Sequence, residues 1–580
     1  MSAWISLPIH PLFLFFIAAT AVIFLPNKHD KLASIITVIV PVISFVSLLQ
    51  WQQGSFGIYH LLDLELTLIK VDRLSLLFGY LFHLAAFIAS IYAFHVNDRV
   101  QQVAALLYTG SALGAVFAGD WITLFIFWEL LALTSVFLIL ARRTRDSFLS
   151  SMRYLVVQVL SGVLLFSGAL MIAHHTGTAS ITALVLNTDI FNISSSYDVA
   201  IWLIFLAYGI KCGFPLLHNW IVDAYPQATP TGTIFLISLT TKVAVYALAR
   251  SFAGTDILIT IGLVMACFPL IFAVIENDLR RVLVYCLINQ IGFMVCAIGV
   301  GTEMAINGAV ATAFNHVLYK GLLMMSLGAV LYRVGHVDGS HLGGLYKSMP
   351  KTAIFCIIGA VSSSFPLFCG FVSKAIIMLE MLNAGHTFGW LLLLFAAAGV
   401  FLQIAIKIPF LAFFASDSGL RVKEAPTNML IAMSISAVLC LAIGIFPSYL
   451  YSILPYPINY SPYDVTHVVT QLQLLFFSTF AFIWLRRKNL YPSQLRSTNI
   501  DSDWFYRKLF PLVWDFICPY ISRLVQYSSG VGLRALAITV TALAKYSRSD
   551  AVLGRGWGIN TMLMWLLSTF IFVLLFNYMQ

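Results

Sequence analysis

Ionisable side chains stand inside several otherwise apolar runs of this sequence, where a charge is costly. Glu129 lies in TLFIFWELLALTSVFLIL, and Lys211 and Lys242 lie in two runs joined by a polar kink. His316 and Lys320 are four residues apart in ATAFNHVLYKGLLMMSLGAVL, so they share one face of a helix. A charge at the centre of a bilayer costs roughly 2.5–3.5 kcal/mol on insertion scales, which makes each of these residues a candidate for function.

Two lysines lie beside sequence signals for a broken helix. Pro215 follows Lys211 within about one turn, and Pro366 precedes Lys374 in SSSFPLFCGFVSKAIIMLEML. Proline removes a backbone donor and clashes with the preceding turn, so both prolines predict interruptions. A break at membrane depth is tolerated only where the backbone faces protein or water, and it therefore indicates a hydrated path for ions. Lys407, in a later apolar run, is an additional candidate for this path.

These residue types together suit proton transfer. A carboxylate and a lysine that pair hold each other charged, and when the pair separates the buried lysine tends to give up its proton. We therefore expect the Glu129 carboxylate within ion-pair reach of Lys211, and the basic residues in one connected row bridged by water. That row contains Lys211, Lys242, His316, Lys320 and Lys374. The plainer interpretation is that each lysine extends to a lipid headgroup or caps a separate pocket.

The composition assigns the chain to the polytopic membrane proteins. It is 60% hydrophobic and 10% charged, against about 25% charged in soluble globular domains, and its mean hydropathy is +0.92. The net charge of +9 does not indicate nucleic-acid binding, because the basic residues lie mostly in loops between apolar runs. Eight scattered cysteines without a CxxC pair argue against a disulfide framework, a zinc site or an iron–sulfur cluster, and no cofactor or metal is expected.

Apolar runs long enough to cross a bilayer, about 18 to 25 residues, predict sixteen transmembrane helices in an all-α fold. The predicted spans are 8–25, 33–50, 75–94, 102–119, 121–140, 151–173, 200–222, 230–250, 256–275, 282–300, 304–332, 352–382, 388–413, 428–446, 468–485 and 559–577. Loops after odd-numbered spans carry most of the Lys and Arg, Arg143 and Arg280 among them. The positive-inside rule therefore places these loops in the cytoplasm and both termini outside.

The two predicted broken helices, spans seven and twelve, are five spans apart, which indicates two inverted five-helix repeats. Residues 1–100 would hold helices one to three, 101–250 the first repeat (spans four to eight) and 251–415 the second (spans nine to thirteen). Spans fourteen and fifteen occupy 416–485, and 559–580 holds the last helix. Residues 486–558 are only moderately apolar and are expected to lie along the cytoplasmic surface, the alternative being an extra pair of spans.

Several stretches resemble the antiporter-like components of respiratory complex I and of the multisubunit, Mrp-type cation/proton antiporters. They are FWELLALTSVFLI, GIKCGFPLLHNWIVDAYPQATPTGT, DLRRVLVYCLINQIGFM, NHVLYKGLLMM and GFVSKAIIM, within about residues 70 to 450. The tail beginning NIDSDWFYRK and the basic residue of span twelve are most similar to the D-type subunit of an Mrp antiporter. Two features depart from the family pattern: Tyr225 replaces a histidine in DAYPQATP, and the tail is longer than a fourteen-helix core needs.

The resemblance implies roles for the buried ionisable residues. It places the proton path at Glu129, Lys211, Lys242 and Lys374, and a central polar axis at His316 and Lys320. It implies a hetero-oligomeric antiporter that exchanges a monovalent cation, Na⁺, for H⁺ in the prokaryotic inner membrane. Such a secondary transporter is not itself an enzyme.

Two other functions stay open at this point. The first alternative is a proton-pumping membrane subunit of a complex I-like NADH:quinone oxidoreductase or membrane-bound hydrogenase. Its redox chemistry would lie in partner chains, since this sequence has no cofactor motif. The second is a structural subunit without a path of its own, which the number of buried charges disfavours.

Overall fold

The computed structural model describes residues 10–61, 64–187, 195–488, 490, 501–502, 504, 508–509, 512–520, 564 and 568. The chain divides into two units, Met1–Asn499 and Ile500–Gln580, and the description below concerns the first. Within the described ranges, twelve helices are long and apolar enough to cross a membrane. The protein is therefore a mostly helical, multi-pass membrane protein.

The first part of the chain forms the helices of predicted spans one to eight. Several begin at an aspartate or threonine whose side chain accepts a bond from the first turn, as Asp72, Asp120 and Thr144 do. The helices are α1 (Pro11–Phe24), α2 (Asp30–Leu48), α3 (Arg73–Ala93), α4 (Arg99–Phe117), α5 (Trp121–Leu140), α6 (Arg145–Thr176), α7 (Ser196–Cys212), α8 (Asn219–Ala224), α9 (Gly232–Ser238) and α10 (Thr240–Ser251).

The second part of the first unit forms the helices of predicted spans nine to fifteen. They are α11 (Ile257–Ile275), α12 (Leu279–Val300), α13 (Glu303–Val334), α14 (Pro350–Val361), α15 (Cys369–Asn383), α16 (Thr387–Phe401), α17 (Thr427–Ile445), α18 (Pro447–Ser452) and α19 (Val465–Arg487). Two π-helical segments, Leu402–Lys407 and Phe410–Phe414, continue α16. The bounds follow the predicted spans to within a turn or two.

Spans seven and twelve are broken, as the prolines predict. α7 ends at Cys212 with Gly213 in the left-handed conformation, φ 82°, and the chain resumes as α8 at Asn219. α14 ends at Val361 and α15 begins at Cys369. Span eight is also interrupted, between α9 and α10, and span thirteen changes to π-helical geometry. The sequence analysis did not predict these last two irregularities.

The all-α prediction omitted a β-hairpin between α2 and α3. Strands β1 (Gly54–Leu61) and β2 (Leu64–Val71) pair in antiparallel register, with Gly54 opposite Val71. Apolar and polar residues alternate from Leu64 to Leu68 in the stretch LELTLIKV, which is the sequence signal for a strand. The backbone amide of Gly119 donates to the Thr67 carbonyl at 3.1 Å, so the hairpin packs on the connection between α4 and α5.

Both broken spans contain the sequence Phe-Pro-Leu at the break, with the same unusual backbone. Leu216 has φ 70° and Leu367 has φ 72°, and both follow a proline. The left-handed region is unfavourable for a residue with a Cβ, so a conformation shared at equivalent positions is a specific match. This match supports the predicted repeat of spans four to eight in spans nine to thirteen.

Isolated β-bridges provide a second match between the two repeats. Asp120 bridges Ser180 in the first repeat, and Asp278 bridges Asp338 in the second. The two residues of each bridge are the same number of positions apart in the sequence. In each case the bridge joins the connection before the second helix of the repeat to the connection after its third helix. Superposition of the two repeats by a rotation about an axis in the membrane plane stays a prediction.

Three predictions concern the C-terminal part of the chain. Most of the predicted interfacial tail, 486–558, and almost all of the predicted sixteenth span, 559–577, lie outside the described residues. The count of sixteen transmembrane helices and the possible extra pair of spans therefore stay predictions.

Leu216 provides a test of the break in span seven. Its side chain is 73% exposed, so replacing it removes little packing. A left-handed L-residue costs roughly 1–2 kcal/mol, and glycine loses about 0.5–1 kcal/mol of chain entropy. Leu216→Gly should therefore leave the free energy of unfolding unchanged or raise it by up to about 1.5 kcal/mol, as measured by thermal melting in detergent.

The matched control is Leu206→Gly, within helix α7. Glycine in a helix interior costs about 1 kcal/mol, so this variant should melt at a lower temperature than the parent. If both variants lowered the melting temperature equally, the left-handed conformation at Leu216 would not be what the break requires.

Candidate functional site

Glu129 lies on α5 against a helix that leaves room for its carboxylate. A Cβ placed on Gly162 of α6 would stand 1.4 Å from Glu129 Oε1. Glu129 is half-buried, and its Oε1 is shielded from solvent and has no hydrogen-bond partner among the described residues. The absent side chain at Gly162 thus creates the space that the carboxylate occupies, and a buried acceptor of this kind calls for a proton or a water molecule.

Lys211 is fully buried in the last turn of α7. Its ammonium donates to the Trp128 carbonyl and lies 4.3 Å from the centroid of the Trp128 ring. The Trp128 indole donates to Ser161 Oγ at 3.0 Å, and that hydroxyl donates to the Ala207 carbonyl at 2.8 Å. α5, α6 and α7 are thereby tied together around this lysine.

The predicted ion pair between Glu129 and Lys211 is looser than expected. The two charges are close enough to act on each other, but no N–O contact of 4.0 Å or less joins these two described residues. The ammonium instead has the carbonyl and ring of Trp128, the residue just before Glu129. Lys211 is therefore stabilised by neutral groups as well as by the nearby carboxylate.

Lys242 is held by the break in span eight. It is fully buried near the start of α10, and its ammonium reaches back to the Ile237 carbonyl at 2.6 Å and to Thr241 Oγ1 at 3.3 Å. Ile237 belongs to α9, whose last carbonyls lose their helical donors at the interruption. The break thus supplies the acceptor for the buried charge.

His316 and Lys320 share one face of α13, as the sequence predicts, and both are fully buried. Neither ring nitrogen of His316 has a partner among the described residues, and neither does the Lys320 ammonium. Buried polar groups are almost always hydrogen-bonded, and water completes those that the protein leaves open. Water would therefore complete the hydrogen bonding of these two side chains.

Lys374 is held by the break in span twelve. Its ammonium donates to the Ser363 carbonyl at 2.8 Å and to Ser364 Oγ at 3.2 Å. It also lies 5.5 Å from the centroid of the Phe293 ring. As at Lys242, backbone groups released by a helix interruption hold a buried ammonium.

The structure brings four of the predicted basic residues within electrostatic reach of one another. The charge of Lys320 acts on Lys242 and on Lys374, and His316 is affected by all three lysines. Lys211 adjoins this group, because α7 packs on α10, the helix that carries Lys242. The helices that carry the group, α10, α13 and α15, meet directly, since α13 packs on both of the others.

Lys407, the additional candidate, has a complete set of partners. It is 1% exposed, and its ammonium donates to the carbonyls of Ala273, Val274 and Glu276 at 2.7 to 2.9 Å. These carbonyls end α11, so all three ammonium protons are used in capping a helix terminus. This geometry gives Lys407 a structural task.

Arg280 is a buried residue that the sequence analysis treated as a loop charge. It is 2% exposed and donates to the carbonyls of Pro226 and Ala228 at 2.9 and 3.2 Å. It also donates to Thr233 Oγ1. An arginine of α12, in the second predicted repeat, thus holds the segment that joins α8 to α9 in the first. Its position at the edge of an apolar run is a sequence feature from which its burial could have been predicted.

A buried hydroxyl pair adjoins Lys242 and was also missed. Tyr108 of α4 and Thr240 of α10 lie 2.6 Å apart, oxygen to oxygen. Tyr225, the residue that replaces the family histidine, is fully buried near Tyr108, and its hydroxyl has no partner among the described residues. No sequence pattern distinguishes these hydroxyls from the other tyrosines and threonines of the spans.

An ion pair fixes the C-terminal end of the helix that carries Lys242. Arg250 of α10 donates to both carboxylate oxygens of Asp72 at 2.7 and 2.9 Å. Burial raises the pKa of Asp72, but Arg250 and the bonds from Ser75 outweigh it and hold this pKa below its usual value. α10 is thereby anchored to the start of α3.

Comparison with known proteins identifies a family over the middle of the chain. Residues 118–401 match the family described as NADH:quinone oxidoreductase/Mrp antiporter, transmembrane. The A-type subunit of the Na(+)/H(+) antiporter of Alkalihalophilus pseudofirmus is 29% identical over 425 residues, 66% of this chain and 53% of that protein. The D-type subunit from the same organism is 30% identical over 285 residues, 47% of this chain and 58% of that protein.

A relative of another kind is Hydrogenase-4 component B of Escherichia coli, 24% identical over 400 residues, 62% of this chain and 57% of that protein. The chain spans a little over half the length of these relatives. Among solved structures, a chain of the Mrp complex from Dietzia sp. superposes with a TM-score of 0.64 at 18% identity, covering 81% of this chain and 96% of that one. This last likeness shows the fold.

Arg280→Lys tests the contact between the two repeats. Lysine keeps the charge but cannot reach the same carbonyls together, because it lacks the planar fork of the guanidinium. Leaving buried carbonyls without donors costs roughly 1–3 kcal/mol, so this variant should lower the melting temperature of the purified protein. Arg281→Lys, at a neighbouring residue with a 37% exposed side chain, should not. Equal melting temperatures for the two variants would contradict this role for Arg280.

Proposed function

Residues 118–401 of this chain belong to the NADH:quinone oxidoreductase/Mrp antiporter transmembrane family, and from that premise we propose that the protein is the proton-conducting subunit of a monovalent cation/proton antiporter. Its proton path would run through Glu129, Lys211 and Lys242. In the second predicted repeat it would continue through His316, Lys320 and Lys374. The exchanged cation would be Na⁺, which the names of its relatives specify. The protein would be the D-type component of such a complex and would assemble with the other components in the prokaryotic inner membrane.

The single observation that carries this proposal is the buried pair His316 and Lys320 on α13. His316 and Lys320 are fully buried without partners among the described residues, and charged groups from two other helices act on them. A protein without a proton path would gain nothing from burying such groups unpaired, because each costs several kcal/mol in low dielectric. Neutral lysine and histidine accept protons, so this arrangement suits a relay.

The contacts of Lys211 also provide a way for the two repeats to communicate. Lys211 is held by Trp128 beside Glu129, so protonation of Glu129 removes the negative charge while the neutral contacts of Lys211 remain. The ammonium would then favour releasing its proton toward Lys242. Since protonation of one basic residue raises the cost of protonating the next, a proton arriving at Lys242 would displace one from the row that ends at Lys374.

A second candidate function is supported by one of the relatives. The likeness to Hydrogenase-4 component B favours a proton-pumping subunit of a redox-driven complex, in which the same path would operate. The two functions differ in what drives them. Na⁺-dependent proton movement in vesicles from cells without other antiporters, with the whole operon expressed, would support the antiporter. Movement that needs an electron donor and ignores Na⁺ would support the redox-driven complex.

If the basic residues form one connected row, each of them should be required for exchange. Lys242→Ala and Lys320→Ala should each reduce exchange by at least about 100-fold, the lower end of what a positioned proton-transfer group contributes. The measurement is Na⁺-dependent proton movement in the same vesicles. Lys347→Ala changes an exposed loop residue whose ion pair with Asp417 is worth little, and it should exchange normally. Retained exchange in both row variants would leave the separate-pocket interpretation standing.

Gly162→Ala tests the place of Glu129 without changing any charge. The added methyl group would occupy the position of Oε1, so the carboxylate must leave its present position and exchange should fall by about 10-fold or more. The matched control is Gly321→Ala on α13, where an added Cβ meets nothing within 4 Å. Exchange by Gly162→Ala at the rate of Gly321→Ala would show that the position of the carboxylate does not matter.

A further inference from the structure

A cavity connects Lys374 to the last described helix of the first unit. It has a volume of about 70 Å³ and lies between α12, α15, α16 and α19. Its polar lining consists of Ser364, Lys374, His467, Thr470 and Gln471. One water molecule needs roughly 10–15 Å³ of such space and two to four polar partners. The cavity can therefore hold several waters beside the final lysine of the row.

Hydrogen bonds join α19 to the break that holds Lys374. The Lys374 ammonium donates to Ser364 Oγ at 3.2 Å, and Gln471 Nε2 donates to the Ser364 carbonyl at 3.0 Å. A single residue of the break thus contacts both the lysine and α19. His467 is four residues before Gln471, so both lie on the same face of α19 and both line the cavity.

His467 lies closer to solvent than Lys374 does. α19 begins at Val465, so His467 is in the first turn, about 6 Å along the axis from Gln471. Its side chain is only partly buried, whereas Lys374 is 6% exposed. By span count, the start of α19 and the end of α15 lie on the same side of the membrane, the side predicted to be outside. In that predicted orientation, His467 lies between the cavity and the external solvent.

Histidine suits the last position of a proton path. The imidazole of a histidine in water has a pKa of about 6.5, so such a ring accepts and releases protons near neutral pH. Lys374 is the other titratable group that lines the cavity, and Asp464 caps α19 at its start. The sequence offered no signal for this role, because His467 lies near the end of an ordinary apolar run.

We propose that His467 is the terminal group of the proton path, exchanging protons between Lys374 and the external solvent. This inference rests on the proposed function. In the outward direction, a proton leaves the Lys374 ammonium through cavity water and binds the free ring nitrogen of His467. The imidazolium then releases the proton on its other nitrogen to external water. One proton enters the ring and one leaves it, so the ring is neutral again after the step.

The test compares the His467→Gln complex with the parent complex in membrane vesicles. The pH is varied on the side of the membrane where α19 begins. Glutamine keeps a polar side chain but cannot titrate. The variant should exchange at least about 10-fold more slowly, and its rate should depend less on external pH. His467→Glu restores a titratable group, so it should recover part of the rate with its pH dependence shifted to lower values. His386→Gln, an exposed histidine outside the cavity, should match the parent in both respects.

The outcomes separate this inference from the proposed function. If His467→Gln exchanges at the parent rate with the parent pH dependence while Lys320→Ala is inactive, the role of His467 is overturned and the proton path stands. If the parent complex itself shows no exchange, the proposed function fails. If the His467→Gln protein does not accumulate in the membrane, the Gln471→Leu variant is tested instead. It leaves the histidine in place but removes the bond to Ser364, and it should slow exchange to a similar extent. A parent rate in Gln471→Leu would overturn the inference.

Discussion

Buried ammonium groups need acceptors inside the protein, and here the backbone supplies them where helices break or end. Lys242 uses the Ile237 carbonyl at the interruption of span eight, and Lys374 uses the Ser363 carbonyl at the interruption of span twelve. Lys407 takes three carbonyls at the end of α11. Within an unbroken transmembrane helix most carbonyls are already bonded, although Lys211 reaches the Trp128 carbonyl inside α5. The helix breaks and the helix end therefore supply the acceptors for Lys242, Lys374 and Lys407.

The basic residues differ in the number of acceptors that the protein gives them. Lys407 has three carbonyls for its three ammonium protons. Lys320 and His316 have none among the described residues. Lys374 is intermediate, because it has two acceptors and also faces the cavity lined by His467. In the proposed path, a series of this kind would let a proton move without any single site holding it too firmly.

Much of the fold follows from the sequence because the bilayer imposes a simple rule. Backbone groups in hydrocarbon must be bonded within a segment, so apolar length alone locates the helices. The two prolines, Pro215 and Pro366, located the breaks for an equally local reason. The β-hairpin and the interruption between α9 and α10 were not predicted. The first lies outside the membrane, where that rule does not apply, and the second has no proline or glycine at Leu239 to mark it.

Residue order along the chain was enough to identify the side chains that carry charge into the membrane, because Glu129 and the lysines stand out against apolar neighbours. What those side chains contact depends on the folded arrangement. Lys211 contacts Trp128 of α5, and the Glu129 carboxylate occupies the space that Gly162 of α6 leaves. Both positions therefore depend on packing between helices. The contact of α19 with the break in span twelve likewise joins residues far apart in the chain. Helix periodicity determines which residues share a face, but packing between helices determines which faces meet, and no local pattern encodes that choice.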